Sequence, residues 1–459
     1  MRRAIGLAVV WGLGLVGVAA ACGPYSLVLE AIESYPSNPA VVEQIRERGP
    51  QALADLLVIR GQMQRQLEKL SAAKPPVQDE IDPLARRLVA LDELIDRVGK
   101  QRYCSRSGLY WYTDLEQAQA AAQKSGRPIL SLRMLGKLDE DFSCANSRFF
   151  RTTLYANDEI SRVLRRDYVL HWESVRPVPK VTIDFGDGRK LERTLTGNSV
   201  HYILTSDGDV VDALPGLYGP QSFLAKISEV ASVAKVMSGL VGTERREALA
   251  RYHGAKLTQL DEAWRRDMER IGIAAESARL REDLNRTPAA PAGQPPRADA
   301  AARVAMPKER IERRLVAAAI PVAATPEAAS DERTWAAVAE LHAAEAKLDN
   351  ASRDLIRSEN PTAAVAGRLA ITKRVVEDPL LALVRSLESS IALDTVRNEY
   401  RLHRQLHGWL AEAGYHPDVA TLNERVYAEL FLTPSSDPWL GLAPADVYTA
   451  LPNGGVVRQ

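Results

Sequence analysis

The chain carries no net charge: 59 Lys and Arg balance 59 Asp and Glu over 459 residues. It therefore lacks the field that would draw it to nucleic acid or to an anionic surface, and no nucleic-acid partner is expected. It also lacks a phosphate-binding P-loop, a dinucleotide-binding glycine run and any sequence signature of a Ser-His-Asp arrangement, so no cofactor is expected either. No internal repeat marks a solenoid. Cysteine is scarce, limited to Cys22, Cys104 and Cys144. The length is enough for two or three domains, each able to bury a core.

The N-terminus runs Met1-Arg2-Arg3, an apolar stretch from Ala4 to Val18, then Ala19-Ala20-Ala21 before Cys22. A basic start, an apolar run and small residues at a cleavage point read as a secretory signal peptide over residues 1–21. Cys22 resembles the acylated cysteine of a bacterial lipobox, with Ala19 where Leu is usual. Ordinary cleavage and a retained anchor are the alternatives. The run is short for a spanning helix of about 20 residues, whereas an acyl chain on Cys22 would hold the protein on a membrane without spanning it. The expected location is the periplasm or cell envelope, with exported or envelope proteins as partners. Such a compartment permits disulfides. Cys104 and Cys144 are open to pairing there if their α-carbons lie about 4.4–6.8 Å apart.

Residues 22–105 read as an N-terminal helical hairpin region. Apolar residues recur three and four apart in Ala52-Leu53-Leu56-Leu57-Ile59 and in Leu84-Leu88-Leu91-Leu94-Ile95, with Pro75-Pro76 between the runs. From 106 to 237 the pattern becomes α/β. Asp114 caps a helix through Lys124, ended by Gly126 and Pro128. Ile129–Leu135 reads as a buried strand, 144–155 and 158–165 as helices, and Tyr168–Trp172 as a strand. Hairpins are predicted around Gly186-Asp187-Gly188 and Ser206-Asp207-Gly208, and a last helix runs from Pro220 to Met237. Residues 238–285 read as a helical extension, 286–307 as a Pro/Ala-rich linker, 308–432 as a C-terminal helical region and 433–459 as an irregular tail. The fold class is an α/β domain flanked by all-α regions.

Several of these pieces form a recognisable string: Arg127-Pro128, the strand Ile129–Leu135, Cys144 to Ser147, Leu154 with Asp158-Glu159-Ile160, the strand Tyr168–Trp172, the hairpin Tyr202–Val211 and Gly216. Over residues 109–236 the chain resembles the thioredoxin superfamily, in particular its single-domain and spermatogenesis-associated thioredoxin-like branch. The resemblance implies a thioredoxin-like domain with Cys144 in the position of the attacking thiol. Ser147 stands where the resolving cysteine belongs, and Phe142-Ser143 replaces the tryptophan-bearing approach. Gly136–Asp141 is inserted, and Ser199 falls where the family places its cis-proline. A non-proline cis bond costs about 2.5–4 kcal/mol, so Ser199 is expected to follow a trans peptide.

Cys144 at a helix N-terminus would have a favoured thiolate. Without a thiol at Ser147 it could form a mixed disulfide but not release it internally, and Asp139, Glu140 and Asp141 oppose the charge. The competing reading makes Cys144 a buried remnant or half of a disulfide. Glu399, His403 and His407 have the spacing of a metal-binding helix face, but read as a solvated face with no metal. The two Asp-Gly loops read as turns rather than ion or phosphate sites, and Tyr110-Trp111-Tyr112 as core or edge-strand packing. The chain is thus expected to be an exported interaction scaffold. The alternatives are a monothiol exchange or isomerase enzyme using Cys144, and a purely structural helical envelope protein.

Overall fold

The computed structural model describes residues 28, 30–33, 38–194, 198–273, 326–359 and 373–438. The signal peptide, Cys22, the linker at 286–307 and the tail beyond 438 lie outside these residues. The chain divides into two compact units between Tyr110 and Trp111.

The first unit is helical: α1 (Pro39–Arg46), α2 (Pro50–Ala72), α3 (Gln78–Gly99) and a short α4 (Cys104–Ser107). Asn38 caps α1 by accepting from the Ala40 N–H, with proline at the first helical position. Val41, Val42 and Ile45 of α1, Leu53 and Leu56 of α2, and Leu91, Leu94, Ile95 and Val98 of α3 make one apolar core. Arg60 reaches across the hairpin to Asp92. The chain leaves α3 through Lys100 in a left-handed conformation. Asp96 then accepts from the Tyr103 and Cys104 N–H groups at 3.1 and 2.7 Å, and burial pushes its carboxyl up to about 7 despite these donors. Cys104 is enclosed here: its thiol donates to the Leu109 carbonyl at 3.3 Å, and burial followed by the Asp96 charge raises its pKa well above the ordinary value. A Cβ at Gly99 would run into its sulfur, so glycine is required where α3 ends.

The second unit is built on a mixed sheet. Its elements are β1 (Trp111–Tyr112), α5 (Leu115–Ser125), β2 (Ile129–Leu135), α6 (Ala145–Phe149), α7 (Asp158–Asp167), β3 (Val169–Arg176), β4 (Lys180–Asp184), β5 (Lys190–Thr194), β6 (Ser199–Leu204), β7 (Val210–Pro215), α8 (Pro220–Ser238) and α9 (Gly242–Arg270). The strands order as β1-β3-β2-β6-β7. β1, β3 and β2 run parallel, while β6 is antiparallel to β2 and β7 to β6. Every residue of β2, β6 and β7 is buried, as in a sheet covered on both faces, although Arg133, His201 and Asp212 interrupt the apolar pattern. β4 and β5 form a separate hairpin, in which β4 alternates between exposed and half-buried residues. Asp184 and Asp187 accept from the Gly186 and Arg189 N–H groups, so turn chemistry accounts for the Gly-Asp-Gly loop. Trp111 and Tyr112 form an edge strand, as their aromatic run suggested. Asp114 and Asn157 cap α5 and α7 through the Gln117 and the Glu159 and Ile160 N–H groups.

The helix expected over 144–155 is interrupted: α6 gives way to a π-helical turn at Phe150–Leu154. That turn brings Phe150 and Tyr155 onto the sheet, where the Tyr155 hydroxyl meets His201 Nε2 at 2.6 Å. His201 also packs against Phe150 and Phe223, and burial pushes it down to about 3, so it is neutral at physiological pH.

The later helices belong to the same unit: α10 (Pro326–Leu341), α11 (Asn350–Glu359), α12 (Lys373–Arg397), a π-helical turn Asn398–His403, α13 (Arg404–Ala411), α14 (Val419–Arg425) and a second π-helical turn Val426–Leu430. The Gly219 N–H donates to Thr395 Oγ1 and the Asn398 amide to the Leu217 carbonyl, both at 2.7 Å. These bonds fasten the C-terminal helices to the loop that follows β7.

Candidate functional site

Cys144 sits between β2 and α6, its N–H donating to the Leu135 carbonyl at 3.1 Å. Its side chain is fully buried, at 0% exposure. Ser147 is buried too, and its hydroxyl donates to Ser143 Oγ at 2.6 Å and to the Cys144 carbonyl at 2.8 Å. The loop between β2 and α6 is stapled by Arg151, whose guanidinium donates to the carbonyls of Leu138 and Glu140 at 3.2 and 2.7 Å and to Ser143 Oγ at 3.2 Å. Its carbonyls serve as the ligands of Arg151, and Glu140 pairs with Lys137 at the surface.

The Cys104–Cys144 disulfide is not formed. Both are free thiols, and each is enclosed in the core of its own unit. Ser199 follows a trans peptide, as expected. Asn198, just before it, is covered by the end of the described chain. The Tyr427 hydroxyl donates to the Asn198 carbonyl at 3.0 Å, and the Asn198 amide donates to Thr433 Oγ1 at 3.0 Å. Arg176 at the end of β3 donates to the carbonyls of Thr433 and Asp437 at 2.9 and 3.1 Å. The entry to β6 is thereby filled by residues 427–437.

The solvated face expected for Glu399, His403 and His407 is overturned. His403 and His407 are 4% and 1% exposed, because the π-helical turn and α13 lay them against β7 and α9. There they meet Asp212, a carboxylate inside the buried strand β7, and Tyr252 and His253 of α9. His403 Nε2 lies 3.0 Å from Asp212 Oδ1, and His403 Nδ1 lies 3.4 Å from Glu399 Oε2. His253 Nδ1 and His407 Nδ1 stand 2.8 Å apart. The Tyr252 hydroxyl donates to Asp212 Oδ2 at 2.7 Å, and Lys226 donates to Glu399 at 2.6 Å.

Burial opposes ionisation of Asp212, yet the imidazoles of His407 and His403 hold its carboxyl well below the usual range. Burial likewise opposes charge on His403, but the Asp212 and Glu399 carboxylates win and raise it. His253, pushed down to about 4 by burial, is neutral, and burial and His403 drive His407 well below its ordinary value. The arrangement therefore holds one favoured imidazolium between two carboxylates and two neutral imidazoles facing each other. Sequence reasoning reached the helix face of this site and missed its other half, Asp212 and His253. The one available signal was a charged residue in the apolar run Val210-Val211-Asp212-Ala213-Leu214.

A second histidine network lies nearby in sequence. His342 meets Asp267 at 2.8 Å and Glu345 at 2.6 Å, and the Tyr400 hydroxyl donates to Asp267. The hydrogen bonds to Asp267 and Glu345 push His342 up to about 10. Because the folded value lies above the unfolded one, its stabilisation is complete below about pH 6.5 and is lost as pH rises through 10. Unfolding free energies from urea titrations at pH 6.5 and 10 should differ by more in the wild type than in His342→Gln, by on the order of 2–3 kcal/mol once solvent screening of the half-buried ring is allowed for. Equal differences in the two proteins would contradict the assignment.

No family model, curated protein or solved structure matches this chain.

Proposed function

We propose that the second unit is built around a thioredoxin-like domain whose thiol position is closed, and that the protein serves as an exported interaction scaffold in the cell envelope. The strand order β1-β3-β2-β6-β7, with three parallel strands followed by two antiparallel ones, supports the fold reading. So does the inserted hairpin β4–β5, which leaves that order undisturbed. Export, and anchoring through an acylated Cys22, rest on the N-terminal sequence pattern. The observation that carries the non-enzymatic reading is the complete burial of Cys144 beside an inward-bonded Ser147. A thiol attacks as an exposed thiolate, and this one has no surface to present.

The test is thiol labelling of the folded protein, with mass spectrometry separating Cys144 from Cys104. Native labelling of Cys144 should be at least about 100-fold slower than in the denatured chain, with no disulfide-reductase or isomerase turnover. Labelling at the rate of a free thiol, with turnover lost in Cys144→Ser, would establish the monothiol enzyme instead.

A further inference from the structure

Three residues that lie far apart in sequence converge behind β7. Asp212 comes from the strand, His253 from α9 and His407 from α13, and one donor atom of each lies within 4.8 Å of the other two. We propose that Asp212, His253 and His407 bind one divalent transition-metal ion of the zinc class, with a fourth coordination position facing the adjoining cavity.

The spacing fits such an ion. Ligand atoms about 2.0–2.2 Å from a tetrahedral zinc stand roughly 3.4 Å from one another. The His253 Nδ1 to His407 Nδ1 separation of 2.8 Å and the His407 Nδ1 to Asp212 Oδ1 separation of 4.0 Å bracket that value. Shifts of about half an ångström bring these two pairs to ligand spacing, and the third pair, His253 and Asp212, lies within 4.8 Å. Two nitrogens at 2.8 Å can share only one proton, and a cation that takes both lone pairs displaces that proton to Nε2 or to solvent.

The groups behind the ligands are those that orient them in metal sites. Tyr252 holds the second oxygen of Asp212. His403 links Asp212 to Glu399, which is itself held by Lys226. His253 has a further hydrogen bond with the Val211 backbone. A donor set of two imidazoles and one carboxylate suits zinc and its neighbours, and has too few oxygens for calcium or magnesium.

An ion also needs a way in. A cavity of about 390 Å³ is lined by Asp212, Tyr252, His403 and His407, and it extends to Glu229 and Arg266. Both of the last two are exposed, so the cavity reaches the surface. Water entering from it would fill the fourth position, the arrangement of a zinc centre that retains an open site.

The test uses the full chain, stripped with chelator and titrated with Co²⁺, then with Zn²⁺. The expected result is one Co²⁺ per chain with the intense visible spectrum of a four-coordinate site, displaced by one equivalent of Zn²⁺. His407→Ala should weaken binding by at least about 100-fold, while His416→Ala, an exposed histidine outside the cluster, should leave it unchanged. If His407→Ala does not fold, His253→Gln is read in its place. A folded wild type that takes up no stoichiometric Co²⁺, or that gives only the weak spectrum of a six-coordinate ion, overturns the proposal. So does binding that survives loss of His407 or His253. None of these outcomes depends on the reading of Cys144.

Discussion

Asp212→Leu is expected to destabilise the second unit by about 3–5 kcal/mol in urea unfolding with chelator present. The carboxylate is 1% exposed and accepts from the Ala213 N–H at 2.7 Å, from the Tyr252 hydroxyl at 2.7 Å and from His403. Leucine keeps the branched shape at a larger volume and leaves all three donors without an acceptor in the interior, each at about 1–3 kcal/mol before relaxation. It also strips His403 of a carboxylate that favours its protonated form. Asp212→Asn separates charge from hydrogen bonding. An amide oxygen still accepts while the negative charge is gone, so its cost should be roughly half that of leucine. A loss below about 1 kcal/mol for Asp212→Leu would mean that the cluster contributes little to the seam between β7, α9 and α13.

Tyr427→Ala should have the second large effect, read at Cys144. Tyr427 is buried, bonds the Asn198 carbonyl through its hydroxyl and packs edge-on against Phe431. Truncating a buried aromatic side chain to alanine costs about 3–5 kcal/mol. If that cost falls on local release of residues 427–437 from the entry to β6, native labelling of Cys144 should accelerate by about 100-fold or more, at tenfold per 1.4 kcal/mol. Tyr427→Phe keeps the ring and loses one hydrogen bond of about 1 kcal/mol, so its labelling should stay within about tenfold of wild type. Global destabilisation by Tyr427→Ala with no change in labelling would show that another element shields the thiol.

What the sequence revealed and what it hid follow from the range of the interactions involved. The strand Ile129–Leu135 matches β2 residue for residue because a seven-residue, mainly apolar run between a Gly-x-Pro stop and a polar loop has few alternatives. The cap at Asp114 is a local hydrogen bond within three residues, and was readable for that reason. The π-helical turns were not readable, since one extra residue per turn leaves no mark in a helical period. Glu399, His403 and His407 were seen as one helix face, but the same spacing serves a wet face or a buried one. Whether it is buried depends on Asp212, which lies 191 residues before His403. Closure of the entry to β6 was hidden for the same reason: Tyr427 and Asn198 are 229 residues apart. Local sequence could not show that the chain's own later residues lie against the entry to β6.

The docking of the C-terminal helices onto the β6–β7 edge has a consequence in time. Ribosomes add about 5–20 residues per second, so roughly ten to forty seconds separate the appearance of β7 from that of Tyr427 and Thr433. During that interval the sheet is complete in sequence but lacks its outer helices, and Asp212 has neither His403 nor His407 beside it. Contacts spanning about two hundred residues cannot form until both ends exist. The order of synthesis therefore makes the C-terminal helices the closing step of assembly, and a nascent chain that stops before them exposes the edge of its own sheet.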